Sequence, residues 1–357
     1  MGVSFLDFYK GKRVLVTGDT GFKGSWLCLW LRELGAEVAG FALPPGREDD
    51  HYNLLKLGDM IRHVSGDIRD LDSLEAAFGD FKPEILFHLA AQSIVRVSYD
   101  SPKETFDTNV GGSVNVLEAV RVTPSLRSVV YVTSDKCYRN NEWLWGYREN
   151  DVLGGHDPYS ASKAAAELIF SSYMDSFISR RDGLGAASVR AGNVIGGGDW
   201  SPARIVPDCI RALREGRPIE IRNPHSTRPW QHVLEPLAGY LLLGARLYED
   251  PKAFSGAWNF GPDDDAVRTV GELAEKIVGR WGAGSLRISP SAHAPHEARL
   301  LRLNCDKARS LLKWRPRWDF TTAVNETVDW YKEVSSGVTA LAASRARIKD
   351  YTEVLND

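Results

Sequence analysis

The chain has 357 residues, 43 % hydrophobic and 25 % charged, with a formal net charge of −3. That length predicts two lobes rather than one core, and the ordinary composition fits a globular protein. The near-neutral charge excludes nucleic acid or an anionic membrane as the main partner, and no signal-type or membrane-spanning apolar run is present.

In chain order, Arg13-Val14-Leu15-Val16-Thr17 reads as a strand. Gly18-Asp19-Thr20-Gly21-Phe22-Lys23-Gly24 follows as a glycine turn, and a helix then carries apolar residues at Phe22, Trp26, Leu27, Trp30, Leu31 and Leu34. Glycines at 18, 21 and 24 permit a positive φ, a close approach of pyrophosphate to bare backbone, and tight packing of helix on strand. The new helix presents its free N–H groups and positive dipole end to those phosphates. The spacing is G-x-x-G-x-x-G, one residue wider at the first interval than the usual dinucleotide fingerprint.

Strands are then predicted at Glu37–Ala42, Ile61–Ser65, Ile85–Leu89 and Val129–Thr133, with helices near Leu71–Phe78 and Thr105–Val122 between them. Continuous apolar strands in β-α-β order predict a doubly wound parallel sheet covered by helices on both faces. Right-handed crossovers place the strand C-terminal ends along one rim. That rim comprises Gly18–Gly24, Leu43, Asp67-Ile68, Leu89-Ala90-Ala91 and Ser134-Asp135-Lys136.

Asp67 is placed to accept the exocyclic amine of an adenine or to cap the following helix. The end of the second strand, Phe41-Ala42-Leu43, lacks the acid that would hold the adenosine ribose, and Arg47 nearby suits a 2′-phosphate, so NAD and NADP both stay open.

Tyr159-Ser160-Ala161-Ser162-Lys163 opens a further helix after Pro158. Tyr159 and Lys163 are four apart and share a helical face, where the ammonium is expected to lower the phenol pKa; a solvated helix face is the bland alternative. Beyond Gly185 the pattern loosens. Ala187–Arg190 reads as a sixth strand, followed by the glycine-rich loop 191–200, which exposes N–H groups and the Asn193 amide to phosphate or serves only as a flexible turn.

Helical spacing recurs at Val206–Glu215, Val233–Tyr248, Val270–Trp281 and Thr321–Val334, with tryptophans expected in the core. Trp143, Trp145 and Tyr147 are expected either to cover the sugar or base or to pack locally. Cys28, Cys137, Cys209 and Cys305 are scattered, which predicts reduced thiols in a cytoplasm. No His, Asp or Glu cluster has metal-ligand spacing, so no metal is expected.

With the glycine turn and the Tyr159/Lys163 pair together, nearly the whole chain resembles the extended short-chain dehydrogenase/reductase family, and within it the sugar-nucleotide dehydratase group. The closer likeness lies in Gly21-Phe22-Lys23-Gly24-Ser25-Trp26-Leu27, Thr133-Ser134-Asp135-Lys136-Cys137-Tyr138, Glu142-Trp143-Leu144-Trp145-Gly146-Tyr147-Arg148-Glu149 and Asp157-Pro158-Tyr159-Ser160. The resemblance implies a Rossmann-type domain over residues 1–184, which binds NAD. A smaller substrate lobe spans 185–357, with some strands and helices returning to the first domain.

It further implies dehydration of CDP-D-glucose by C4 oxidation, loss of water across C5 and C6, and hydride return to C6, in deoxysugar and O-antigen synthesis. The expected catalytic residues are Tyr159, Lys163, Asp135, Lys136 and Ser134. Gly18, Thr20, Gly21, Phe22, Lys23, Gly24, Asp67, Ile68, Leu89, Ala90 and Ala91, with Tyr159 and Lys163, are expected to hold the cofactor. Ser93, Asn193, Arg204, Arg228 and Arg299 are expected to hold substrate, whereas Arg302 reads as surface charge. Helices near 105–122 and 160–179 pair two subunits in relatives, so a homodimer is expected.

One departure concerns the elimination. The dTDP-glucose dehydratases carry Thr-Asp-Glu where this chain has Ser134-Asp135-Lys136. Asp135 is expected as acid to the C6 hydroxyl and Lys136 as C5 base, or Lys136 only pairs with Asp135 or phosphate. A sugar-nucleotide 4-epimerase, a dehydratase of another nucleotide sugar and a dinucleotide-sensing regulator are the alternatives.

Overall fold

The computed structural model describes residues 5–202, 204–263, 266–289 and 300–356. Among them, seven strands form one parallel sheet: β1 Arg13–Thr17, β2 Glu37–Ala42, β3 Arg62–Ser65, β4 Ile85–His88, β5 Ser128–Val132, β6 Gly185–Ala191 and β7 Gly256–Phe260. Their order is β7-β6-β5-β4-β1-β2-β3, and every pairing is parallel. The chain runs outward from β1 through β2 to β3, then restarts at β4 on the other side of β1. This switch point opens a crevice at the C-terminal ends of β1 and β4.

Burial explains why these segments are strands. Val14, Leu15 and Val16 are fully covered, as are Ile85–Phe87 and Val129–Tyr131. Alternate residues feed separate cores, Val14 and Val16 one and Leu15 and Leu86 the other, so helices must cover both faces. β7 lies outside the strands read from sequence, and with β6 it returns the second half of the chain to the sheet.

The helix expected over Thr105–Val122 is interrupted. An α-helical turn at Pro102–Phe106 widens into a π-type turn at Asp107–Gly111 before the helix resumes at Gly112–Val122. The widened turn seats Asn109, which is buried and bonds Gln92 and Ser162. The helix Pro158–Ser176 starts on Asp157, whose carboxylate accepts the Ser160 N–H at 2.9 Å, with Pro158 in its first turn.

The later helices fall at Ile205–Arg214, Leu234–Glu249, Val270–Trp281 and Phe320–Ser335, and the tail forms a helix over Ala340–Asn356. On the helices read from apolar spacing, Trp330 is buried core as expected and Trp281 is half-buried against it, while Trp200, Trp258, Trp314 and Trp318 are buried as well and the buried Trp230 also lines the cavity described below. All four cysteines are buried and free.

Candidate active site

A cavity of about 1050 Å³ runs from the glycine turn across the sheet rim to the second lobe. That lies at the upper end of the range for small-molecule and cofactor sites.

At one end the glycine turn meets the requirements of a dinucleotide site. Gly18 has φ +78°, and a Cβ there would lie 2.7 Å from the Ala90 nitrogen, so β1 and β4 meet too closely for any side chain. A Cβ on Gly24 would sit 2.0 Å from the Gly18 carbonyl oxygen. No side chain caps the helix Phe22–Glu33 at Gly21, which leaves its first N–H groups available to phosphate. Gly18, Thr20, Gly21, Phe22, Lys23 and Gly24 line the cavity, as do Asp67, Ile68, Leu89, Ala90 and Ala91.

Asp67 does not cap a helix. Asp70 does so by accepting the Ser73 N–H, while Asp67 pairs with Arg69 at 2.5 Å beside the cavity. Arg47 is held by Asp49 at 2.7 Å and is absent from the cavity lining, so its suitability for a 2′-phosphate finds no support. The Asp19 carboxylate, fully buried, lies 2.7 Å from His63 Nδ1. Gly40 makes room for it, since a Cβ there would meet that carboxylate at 2.0 Å.

The residues expected to be catalytic, Ser134, Asp135, Lys136, Tyr159 and Lys163, all line this cavity. Ser134 begins the single turn Asp135–Cys137, accepting the Lys136 N–H at 3.2 Å and donating to Asp135 Oδ1 at 3.0 Å. Asp135 is buried, which raises its pKa, against the downward pull of Lys136, the Ser134 hydrogen bond, Lys23 and Arg228. A carboxyl whose pKa is raised by burial suits a proton donor.

Tyr159 and Lys163 are also buried, one turn apart on the helix Pro158–Ser176. Burial lowers Lys163 to about 8, opposed by the Glu167 carboxylate one turn further on. Tyr159 departs from expectation. Burial pushes it up to about 12, and the downward contributions come from its Ser134 hydrogen bond and from Arg204 rather than from Lys163.

Lys23 joins this cluster, which the sequence does not signal. It too is lowered to about 8, first by burial and then by Arg204, with Asp135 acting upward and Lys163 downward. Gln92 lines the cavity as well, with no signal in the sequence, and its partner is the buried Asn109. The π-type turn that positions Asn109 leaves no trace in apolar spacing.

Toward the second lobe, Ser93, Asn193, Arg204 and Arg228 line the same cavity. Arg204 is fixed by Asp199 at 3.1 Å and reaches Ser93 at 3.4 Å. Arg228 lies on the short strand Thr227–Pro229, close enough to Asp135 to lower its pKa. Arg299 falls outside the described residues.

Arg302 is half-buried rather than surface charge, and its carbonyl accepts the Tyr147 N–H at 2.9 Å. Trp143 and Tyr147 pack locally: Tyr147 stacks on Tyr138 and on Trp143, each at 5.1 Å between centroids, while Trp145 is 72 % exposed. None of Trp143, Trp145 and Tyr147 lines the cavity.

Residues 15–327 match the family model described as GDP-mannose 4,6 dehydratase. A CDP-glucose 4,6-dehydratase from Salmonella typhimurium is 48 % identical over 97 % of each chain, and a UDP-glucose 4-epimerase from Mycolicibacterium smegmatis is 29 % identical over 90 % of this chain and 99 % of its own. Among solved structures, a dTDP-glucose 4,6-dehydratase from Streptomyces venezuelae with NAD bound superposes with a TM-score of 0.78 at 25 % identity, covering 91 % of this chain and 98 % of that one.

Proposed function

From the premise that this chain belongs to the GDP-mannose 4,6-dehydratase family of extended short-chain dehydrogenases, we propose that it is an NAD-dependent hydro-lyase converting CDP-D-glucose to CDP-4-dehydro-6-deoxy-D-glucose. The observation that carries this reading is the gathering of Tyr159, Lys163, Ser134, Asp135 and Lys136 on one cavity that begins at a dinucleotide turn. The 48 % identity to a CDP-glucose 4,6-dehydratase supports the choice of nucleotide.

NAD fits the turn, since the Gly18–Gly24 contact and the uncapped helix start leave bare backbone for its pyrophosphate. Bound there, it would supply the acceptor for the C4 hydride and the donor that returns the hydride to C6. Tyr159 takes the C4 hydroxyl proton, and Lys163 holds the nicotinamide ribose.

The C4 ketone acidifies C5–H, because the electron pair left behind is delocalised as an enolate. Lys136 takes that proton, and Asp135 gives one to the C6 hydroxyl, which departs as water. A proton then goes back to C5. The atoms balance as loss of one water.

Arg204 and Arg228 suit the substrate pyrophosphate through their planar forks, with Asn193 and Ser93 beside them. Arg299 remains a candidate on sequence grounds. A division into a mainly cofactor-binding part, 1–184, and a mainly substrate-binding part, 185–357, is part of the proposal, supported by Asn193, Arg204 and Arg228 in the second part.

An epimerase has no use for an acid and a base at 135 and 136, and a dinucleotide sensor has no use for Tyr159 and Lys163. We also infer a homodimer, supported by exposed Phe106, Val122, Leu168 and Phe177 on the expected pairing helices. A cytoplasmic location is supported by the four free cysteines, and no helix among the described residues is long and apolar enough to cross a membrane. Supply of deoxysugars to surface polysaccharide rests on the resemblance.

Turnover with CDP-, dTDP-, GDP- and UDP-glucose, with and without NAD, tests the proposal. The expected result is a 4-keto-6-deoxy product formed fastest from CDP-glucose. An equilibrium of C4 epimers without loss of water overturns it.

A further inference from the structure

Behind the catalytic turn lies a buried ion pair that takes no part in the chemistry above. We propose that Glu167 and Arg190 form a positioning clamp, which sets Asp135 and Lys136 at the reach of a sugar whose C4 hydroxyl meets Tyr159. The inference rests on the dehydratase reading and extends it to how two separate elements are kept in register.

Both side chains are 3 % exposed. Arg190 Nε donates to Glu167 Oε1 at 2.9 Å, and Nη2 to Oε2 at 2.8 Å, a two-pronged contact that fixes direction as well as distance. The same carboxylate accepts from the Thr133 hydroxyl and from Ser188 Oγ, the latter at 2.8 Å. Arg190 Nη1 donates to the Tyr138 hydroxyl at 2.7 Å, and that hydroxyl donates to Asn259 Oδ1 at 2.8 Å.

Thr133 immediately precedes the catalytic turn and Tyr138 immediately follows it. One ion pair therefore grips both ends of the segment that carries Asp135 and Lys136. Glu167 also stands one helical turn beyond Lys163, so the clamp joins that segment to the helix bearing the oxidation residues.

Stability alone does not account for the pair, because apolar residues of similar volume often replace a buried ion pair at no cost. Registration of a reacting group does account for it, since a displacement of about 1 Å can cost on the order of 100-fold in rate. The two half-reactions draw on different elements. Oxidation uses the helix, and elimination uses the turn. Loosening the clamp from the turn side therefore slows elimination while leaving oxidation intact.

Thr133→Val and Tyr138→Phe each delete one hydroxyl and keep the ion pair. Each is compared with wild type on whichever nucleotide glucose the wild type dehydrates best, alongside its thermal midpoint. Stopped-flow nicotinamide absorbance follows oxidation, and solvent deuterium entering C5 follows elimination.

The expected result is C5 exchange and water loss slowed about tenfold or more, with the oxidation rate and the midpoint retained, so that nicotinamide absorbance persists where the wild type shows only a transient. Parallel loss of both half-reactions, or no change in either, overturns the clamp while leaving the dehydratase reading intact. A wild type that dehydrates none of the four nucleotide glucoses overturns the reading and the clamp together.

Discussion

Gly24 and Gly18 touch: a Cβ added to Gly24 would lie 2.0 Å from the Gly18 carbonyl oxygen and 2.9 Å from the Asp19 Cα. The atoms in the way are backbone, so no rotamer change relieves the clash. Gly24→Ala is expected to open the turn, cost ~1–3 kcal/mol of stability and weaken NAD binding more than tenfold. Calorimetric titration with NAD, together with a thermal melt, checks both, and unchanged affinity contradicts the placement of the pyrophosphate.

Lys136 is the residue proposed here as the C5 base. Lys136→Ala is expected to lower the rate of C5 hydrogen exchange with solvent by about 10²–10⁴-fold, the usual worth of a positioned base. Deuterium incorporation followed by mass spectrometry measures it. Exchange at the full rate removes Lys136 from that role.

Lys163 has its pKa lowered to about 8 by burial, against the upward pull of Glu167. Its charged form is lost as pH rises through that value, so the rate is expected to fall on the alkaline side, and Glu167→Gln moves that fall to lower pH. Stability runs the other way. A buried lysine depressed from its ordinary value leaves the unfolded chain holding more protons between about 8 and 10.5, so its contribution to stability rises with pH in that window. A pH–rate profile of both proteins, measured with the thermal midpoint, separates the two effects. An alkaline limb that stays in place in Glu167→Gln contradicts the assignment.

His51, His88 and His232 are buried, and burial pushes each down to about 3. They stay neutral in the fold while the unfolded chain takes up protons near pH 6.5, so their contribution is present above that value and is lost as pH falls toward 3. The thermal midpoint is therefore expected to drop steeply between about pH 6 and 4. A flat profile over that range contradicts the neutral, buried state.

How much of this was legible follows from what a linear pattern encodes. β1, β4 and β5 are covered on both faces, and their unbroken apolar runs announce it. The glycine turn and the Tyr159–Lys163 spacing are local, so their presence reads directly from the chain.

Asp19 shows the opposite case. Its burial depends on the absence of a side chain at Gly40, far away in sequence. Lys23 looks like part of a phosphate turn, and only the fold places it near Asp135 and Arg204. The phenol of Tyr159 follows burial more than its charged neighbour, which spacing on a helix cannot convey. Trp143 and Tyr147 are drawn into a stack by Tyr138, a contact between residues whose distance apart is set by the loop alone.

The most direct test of the account is the wild-type reaction of CDP-glucose with NAD in heavy water, read by mass spectrometry and proton NMR. Four side chains from one turn and one helix acting on a single hexose predict a product that has lost one water and carries one solvent deuterium at C5. A product of unchanged composition with inverted C4 and no deuterium at C5 contradicts it.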